Sequence, residues 1–417
     1  MFEEETLRDM IGGNLQHLKR KVLMVLVLAL VPVSIAACGS GSDSSGDSGD
    51  SGDSILIGEV VALTGGQAAY DVPAHAGATI AIEDINAEGK IDGKTLELET
   101  FDHKTQIDQI ANSAIKAIDA GAAALMVSCD FDQAGPAATE AQNANMVSMS
   151  SCGASTKFGP AGAGPLSFTM ATSATAMGAI QAEFAYEDLK HKTSYALLDN
   201  TTAFSRELCA GFEDRWKELA GEDSYGTDVF QGDDQSIASQ IERIKDYDPD
   251  SVMLCSLQPA VPKALKQIRA SGIDTPILAG DDLDGDSWKN AVPDVSDVYF
   301  LSYGSIYGDD PDPAVNRFVD QFKKDQGEAP PSGAAITGYS AIEALAIAAK
   351  KAGSTDGTAM AEALETFKDE PLLVGPTTFT PEQHIATIRG MRIMKIDDGK
   401  TTFYKVWRPE SVPEPRF

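Results

Sequence analysis

Short apolar, β-branched runs alternate with helical stretches over most of this chain, and that alternation limits the fold more than any other feature. Residues 55–62 (ILIGEVVA) read as a strand, Leu63-Thr64-Gly65-Gly66 as a turn, and 73–86 as a helix. The order returns with strands at 95–101, 123–128 and 146–150 and helices at 107–120 and 136–145. A loop-like stretch around residue 170 interrupts it. Strands at 194–198, 226–230, 251–255 and 276–279 then alternate with helices at 176–189, 205–219, 237–245 and 260–271. Repeated strand-helix-strand units predict mainly parallel sheets covered by helices on both faces, and the interruption divides them into two α/β units. Beyond them come an apolar run at 298–302 and helices at 315–324, 334–351 and 359–367. Two final runs, 390–396 and 401–407, flank Asp397-Asp398-Gly399-Lys400, a hairpin signal that ends the chain on antiparallel strands. A length of 417 residues with 43% hydrophobic content suffices for two to three domains, each with its own core.

The charge excludes one class of partner. There are 63 acidic residues against 33 basic ones, a formal net charge of −30, whereas nucleic-acid phosphates require Lys and Arg to displace counterions. Motifs for catalysis are also missing: no G-x-S-x-G elbow, no phosphate loop ending in Gly-Lys-Ser/Thr, no His-Glu-x-x-His, no G-x-G-x-x-G after a strand. The five histidines, His17, His75, His103, His191 and His384, are scattered without metal-ligand spacing and read as surface or capping residues. Asp281-Asp282-Leu283-Asp284-Gly285-Asp286 is acidic enough to suggest calcium. Its glycine is misplaced for that loop and no Glu follows at the twelfth position, so neither metal nor cofactor is expected.

The N-terminus reads as a targeting segment. Lys19-Arg20-Lys21 precedes the apolar run 22–33, which at 12 residues is too short for a span of about 20. Ala36-Ala37 before Cys38 resembles the lipobox of bacterial lipoproteins, which makes Cys38 the lipidated residue and 1–37 the signal peptide; an ordinary secretory cut after Ala37 is the other reading. Residues 39–54 are all Gly, Ser or Asp, a tether of about 20 Å root-mean-square reach. Glu3, Glu4, Glu5 and Asp9 are out of place in a signal, so synthesis is expected to start at Met10. The expected location is extracytoplasmic, held to the membrane through the lipid alone.

Apart from Cys38, four cysteines remain, with three possible pairings in an exported chain. Cys129 and Cys152 each end an apolar run, and neighbouring parallel strands have level carboxyl ends, which favours a bridge between them. Cys209, early in a helix, and Cys255, at a strand end, are then left to pair within the second unit. Buried free thiols are the alternative.

Taken together, these residues resemble the periplasmic-binding-protein-like receptors of branched-chain amino-acid ABC importers, the leucine/isoleucine/valine-binding type, over about 55–408. The likeness rests on Gly58 to Ala62 with Leu63-Thr64-Gly65 and Tyr70, and on Ile82-Glu83-Asp84-Ile85-Asn86 with Gly89, Ile91 and Gly93. It continues through Leu125 to Cys129, Trp216-Lys217 with Gly221, and Gly375-Pro376 ahead of Phe379. The resemblance implies two doubly wound lobes joined by a three-stranded hinge: 55–171 with 302–374, and 172–301 with 375–417. It implies a non-enzymatic, monomeric receptor that closes on a small solute and delivers it to permease subunits. A receptor that presents its ligand to a signalling partner is the other function this fold serves.

By position, the resemblance places Tyr70 over the ligand. The loop after Cys129 and Ser150-Ser151 hold an α-carboxylate, Phe204 stacks, Leu257 offers apolar surface, and Asp282 receives an α-ammonium. One departure stands out. Cys129-Asp130-Phe131-Asp132 occupies the place of the carboxylate-binding hydroxyls, and an Asp beside a carboxylate costs several kcal/mol. Either Asp130 and Asp132 cap the following helix and leave the backbone to bind an amino acid, or the ligand is neutral or cationic there, such as an amide.

Overall fold

The computed structural model describes residues 54–416 apart from Lys90. The expected signal peptide, Cys38 and almost all of the tether lie outside the described residues.

Two sheets organise the molecule. The first has five parallel strands in the order β2-β1-β3-β4-β5: β1 (Ser54–Val60), β2 (Thr95–Thr100), β3 (Ala124–Val127), β4 (Val147–Ser150) and β5 (Ser167–Thr169). Helices α1 (Ala68–Glu88), α2 (Ile107–Asp119) and α3 (Phe131–Asn143) connect them. The four residues of β3 and of β4 are all buried, as expected of central strands covered on both faces.

The second sheet has seven strands in the order β14-β13-β10-β9-β8-β6-β7. Strands β6 (Ser194–Asp199), β7 (Tyr225–Phe230), β8 (Ser251–Cys255), β9 (Ile277–Ala279) and β10 (Val298–Ser302) are parallel. Helices α4 (Ala174–Glu183), α5 (Ala203–Ala220), α6 (Ala238–Tyr247) and α7 (Ala260–Ala270) cover this sheet. Its far edge is the antiparallel hairpin β13 (Met391–Asp397) and β14 (Lys400–Trp407), with β13 paired to β10. Asp398 and Gly399 turn that hairpin at φ 49° and 71°, the positive values that a two-residue turn of this hand requires.

Between β10 and the hairpin, α8 (Pro313–Gln326), α9 (Ala334–Ala352) and α10 (Gly357–Leu364) return to the first lobe with the small ribbon β11 (Glu370–Leu372) and β12 (Gly375–Thr377). Helix α9 packs on α1 and α10 reaches β4. The chain therefore crosses between the lobes after β5, after β10 and after β12. Crossing strands are tied together: Thr172 bridges Ala386, and the buried Arg389 guanidinium donates to Met170 O and, at 2.7 Å, to Thr377 Oγ1.

Each lobe contains one pair of helices in backbone contact. A Cβ at Gly77 would lie 1.8 Å from Ala335 O and one at Gly338 2.0 Å from Ala74 O, so α1 and α9 meet through glycine. In the second lobe, Gly178 and Gly211 do the same for α4 and α5, with 2.2 Å to Leu208 O and to Thr175 O. These pairs fix α1 and α5, whose N-terminal ends carry Tyr70 and Phe204.

Several elements differ from the sequence reading. Strand β5 lies in the stretch that reads as loop, and the β11–β12 ribbon has no sequence signal. Helix α1 begins five residues before 73, with Pro73 in its first two turns, where few intrahelical bonds are lost. His103 and His384 are buried rather than superficial: His103 Nε2 lies 2.9 Å from Ser128 Oγ, and the His384 ring stacks on Phe168 at 3.8 Å. Among the described residues no helix is long and apolar enough to cross a membrane, and no group of three His, Cys, Asp or Glu side chains could hold a metal ion.

Candidate functional site

The carboxyl ends of the parallel strands in both lobes face one cleft, the place where ligands bind in open α/β sheets. On the first side, the β1 end, α1 and the β3 end are joined through the buried Asp71 carboxylate. It accepts from Ala62 N at 2.8 Å, Cys129 N at 2.9 Å, Ser128 Oγ at 2.7 Å and Gln67 Nε2 at 3.2 Å. Burial pushes Asp71 up to about 6 despite these donors. Sequence reasoning missed this residue, because the helix was expected to begin at 73 and Asp71 falls in the first turn of α1.

Both disulfides are present. Cys129–Cys152 joins the ends of β3 and β4 with Cα atoms 4.4 Å apart, and Cys209–Cys255 joins α5 to β8 at 5.8 Å. The first forms part of the cleft wall.

Between the lobes lies a cavity of about 20 Å³, room for about one water molecule in this closed arrangement. From the first lobe come Tyr70 on α1, Cys129, Asp130 and Phe131 at the β3–α3 junction, and Cys152, Ala154 and Ser155 after β4. The second lobe contributes Phe204 at the start of α5, Leu257 after β8 and Asp281 after β9. No Lys, Arg or His lines the cavity among the described residues.

Five of the expected site residues, Tyr70, Asp130, Phe131, Phe204 and Leu257, thus meet at one cavity. Asp130 both caps and faces inward: its carboxylate accepts from Asp132 N at 2.9 Å, and burial, reinforced by Asp132, raises it to about 7. Asp132 points across the cleft, where its Oδ2 accepts from Ala203 N at 3.0 Å. Ser150 and Ser151 are not brought to the cavity. Ser150 Oγ donates to Ser128 O at 2.7 Å and accepts from Gly153 N at 2.9 Å, while Ser151 Oγ sits 3.1 Å from Cys129 Sγ. Their hydroxyls serve the loop.

Asp282 lies one residue behind the lining. It is fully buried, and neither carboxylate oxygen has a hydrogen-bond partner; burial first, then Asp281, raises it well above the carboxylate range. The neighbouring Asp281 occupies the wall instead, and burial raises it to about 6. The resemblance names Asp282, whereas the residue that lines the cavity is its neighbour Asp281; a one-residue offset in a loop carries no periodic signal.

The closed arrangement is held by direct bonds across the cleft. Tyr70 Oη accepts from Gln258 N at 2.8 Å. The buried Glu207 carboxylate of α5 accepts from Thr156 N and Thr156 Oγ1, each at 2.9 Å, and from Ser155 Oγ. Asp284 accepts from Ser302 Oγ at 2.8 Å and from Gly333 N, ahead of α9, at 2.9 Å.

Solved structures with this architecture are known. The branched-chain amino-acid transporter substrate-binding protein LivJ from Streptococcus pneumoniae, in complex with isoleucine, is 23% identical with a TM-score of 0.75, covering 85% of this chain and 100% of its own. The leucine-binding protein LivK from Thermotoga maritima is 22% identical at 0.74, covering 85% and 99%. A solute-binding protein of an ABC transporter from Rhodopseudomonas palustris, in complex with 3,4-dihydroxybenzoic acid, is 20% identical at 0.72, covering 87% and 99%. No curated protein matches the sequence at a significant level. The sequence profile of the periplasmic binding proteins matches residues 54–401, well over half of the chain. With two doubly wound lobes, three crossings and a cleft walled from both sides, the chain belongs to the periplasmic binding protein family, non-enzymatic extracytoplasmic receptors of small solutes, and has the type I fold.

Proposed function

We propose that this chain is the solute receptor of an ABC importer, which captures a small nitrogen-bearing solute, an amino acid or an amide-like compound, by hinge closure and presents the loaded form to permease subunits. One observation carries this reading: the cavity is walled by Tyr70, Asp130 and Phe131 from one lobe and by Phe204, Leu257 and Asp281 from the other. A solute touching both sides has contacts in the closed state that the open state lacks, and this difference shifts the population. The small organic acids named in the similar structures support a solute of that size.

Lobe 1 comprises 55–171 with 302–374 and lobe 2 comprises 172–301 with 375–417. Signal peptide 1–37 is removed, and the 38–54 segment tethers a monomer through lipidated Cys38. Small-angle X-ray scattering during titration with amino acids, amides, ureas and aromatic acids tests the receptor role. A saturable fall in radius of gyration at one solute per chain is expected; no response to any solute would overturn it. Release of a Cys38→Ser protein from membranes tests the anchor.

A further inference from the structure

The chemistry of the cavity narrows the ligand, provided the receptor reading above holds. The hydroxyls expected to meet a carboxylate do not reach the cavity: Ser150 and Ser151 are engaged with Ser128 O and Cys129 Sγ at the end of β3 and with Gly153 N. Of the expected carboxylate site, the loop after Cys129 does line it, and there it presents the Asp130 side chain. Two carboxylates line the cavity instead, Asp130 from the first lobe and Asp281 from the second. Asp282 adds a third immediately behind the wall. A Cβ at Gly280 would lie 2.9 Å from Asp282 Oδ1 and 3.0 Å from Phe204 Cζ, so both side chains border the same glycine. Asp282 is also the carboxylate that most strongly raises the Tyr70 hydroxyl.

Acidic groups gathered this closely and shielded from water favour a positive partner over an anionic one, even with Asp132 N on Asp130 and the Tyr303 hydroxyl on Asp281. Tyr70, Phe131 and Phe204 supply aromatic surface of the kind that attracts an organic cation. A surface of net charge −30 further concentrates cations and repels anions. We propose that the inter-lobe cavity, widened by a partial parting of the lobes, takes an organic cation that carries no carboxylate, an amine, guanidine or quaternary ammonium, with its charged nitrogen between Asp130 and Asp281 and its carbon skeleton against the three rings. The charged groups around this pair are mainly acidic. Asp71 and Asp132 act on Asp130, and Asp282 and Asp284 flank Asp281 in the chain. Glu207 bonds Ser155 from α5, Lys157 Nζ lies 5.8 Å from the Phe131 ring centre, and Arg389 acts at Tyr303 rather than at the lining.

The test is a calorimetric titration of the purified chain with 3-methylbutylamine, putrescine, choline and leucinamide as cations, and with leucine and benzoate as carboxylate-bearing counterparts. At least one cation should bind at one per chain, at least ten-fold more tightly than leucine and benzoate. Asp130→Asn and Asp281→Asn should each weaken it ten-fold or more. Lowering the pH from 8.0 to 5.5 should weaken binding to the unaltered chain by a similar factor, because the wall carboxylates take up protons that the cation must displace; this arm holds even where a variant fails to fold. Binding of leucine or benzoate in preference to every cation would overturn the inference and leave the receptor reading intact. Cation binding indifferent to pH and to both substitutions would overturn it as well, and no binding by any compound would count against both.

Discussion

Asp282 is buried deeply enough that burial, reinforced by Asp281, favours its protonated form. Its two oxygens lack partners in a fully buried position, so the ligand-free protein carries a local cost that a neutral amide would reduce. Asp282→Asn is expected to raise unfolding stability of the free protein by about 1–2 kcal/mol at pH 8, read by chemical denaturation; a loss of stability would mean that the carboxylate is paired. Protonation of the wall acts in the same direction. Asp71 and Asp281 are raised to about 6 and Asp130 and Asp284 to about 7, above their unfolded range near 4. For groups raised by folding, the native state holds protons that the unfolded state has released, so their contribution is complete below about pH 4 and lost as pH rises through 6–7. The free protein should therefore melt several degrees higher at pH 5 than at pH 8, and a saturating cation should narrow that gap. Tyr70, Asp130, Phe204 and Leu257 were named by position from the family resemblance, and each stands near a strand end or a helix start, where the fold presents it to the cleft. Ser150 and Ser151 were misleading: a hydroxyl at a strand end looks available in sequence, but Ser128 O and Gly153 N engage Ser150 and Cys129 Sγ sits against Ser151.

At the scale of elements, the glycine contacts couple packing to the site. Gly77 and Gly338 let α1 lie against α9, and Gly178 and Gly211 let α4 lie against α5, so the helices bearing Tyr70 and Phe204 are positioned by backbone, not by adjustable side chains. Gly211→Ala is expected to cost about 2–3 kcal/mol or more, since a Cβ there meets Thr175 O at 2.2 Å, and to weaken solute binding as α5 shifts. Equilibrium denaturation and titration on the same preparation measure both. The disulfides act on the unfolded chain: closing loops with sequence separations of 23 and 46 contributes about 3–4 kcal/mol each in the chain-entropy account. Replacing Cys209 and Cys255 with Ser should lower stability by about that much without changing the fold, as followed by circular dichroism. The strand-helix alternation made β1 to β4 and β6 to β10 legible: the buried β3, β8, β9 and β10 show as continuous apolar runs, and the edge strands β2 and β7 follow from their place between helices. Strand β5 was not, for it has three residues and its neighbours Ser148, Met149 and Ser150 supply the pairing that its own sequence does not advertise.

Over the whole molecule, closure depends on a few bonds between the lobes. Glu207 receives three donors from Ser155 and Thr156, and Asp132 receives Ala203 N, which together favour the closed form even without cargo. Removing Glu207 by substitution with Ala should shift the balance toward the open form by about 2–4 kcal/mol, visible as a larger radius of gyration in solution scattering. Two lobes were foreseeable from the interrupted alternation. The latch was not, because its members lie 51 and 52 residues apart and bear no mutual signal in sequence. The central claim is that solute binds where the lobes meet. Its most direct measurement is a thermal-shift comparison of the unaltered chain with a Tyr70→Ala/Phe204→Ala variant over one solute panel. The account predicts that a solute stabilising the unaltered chain has at least ten-fold weaker effect on the variant, since a ligand stabilises only the state that binds it; equal stabilisation of both proteins would contradict it.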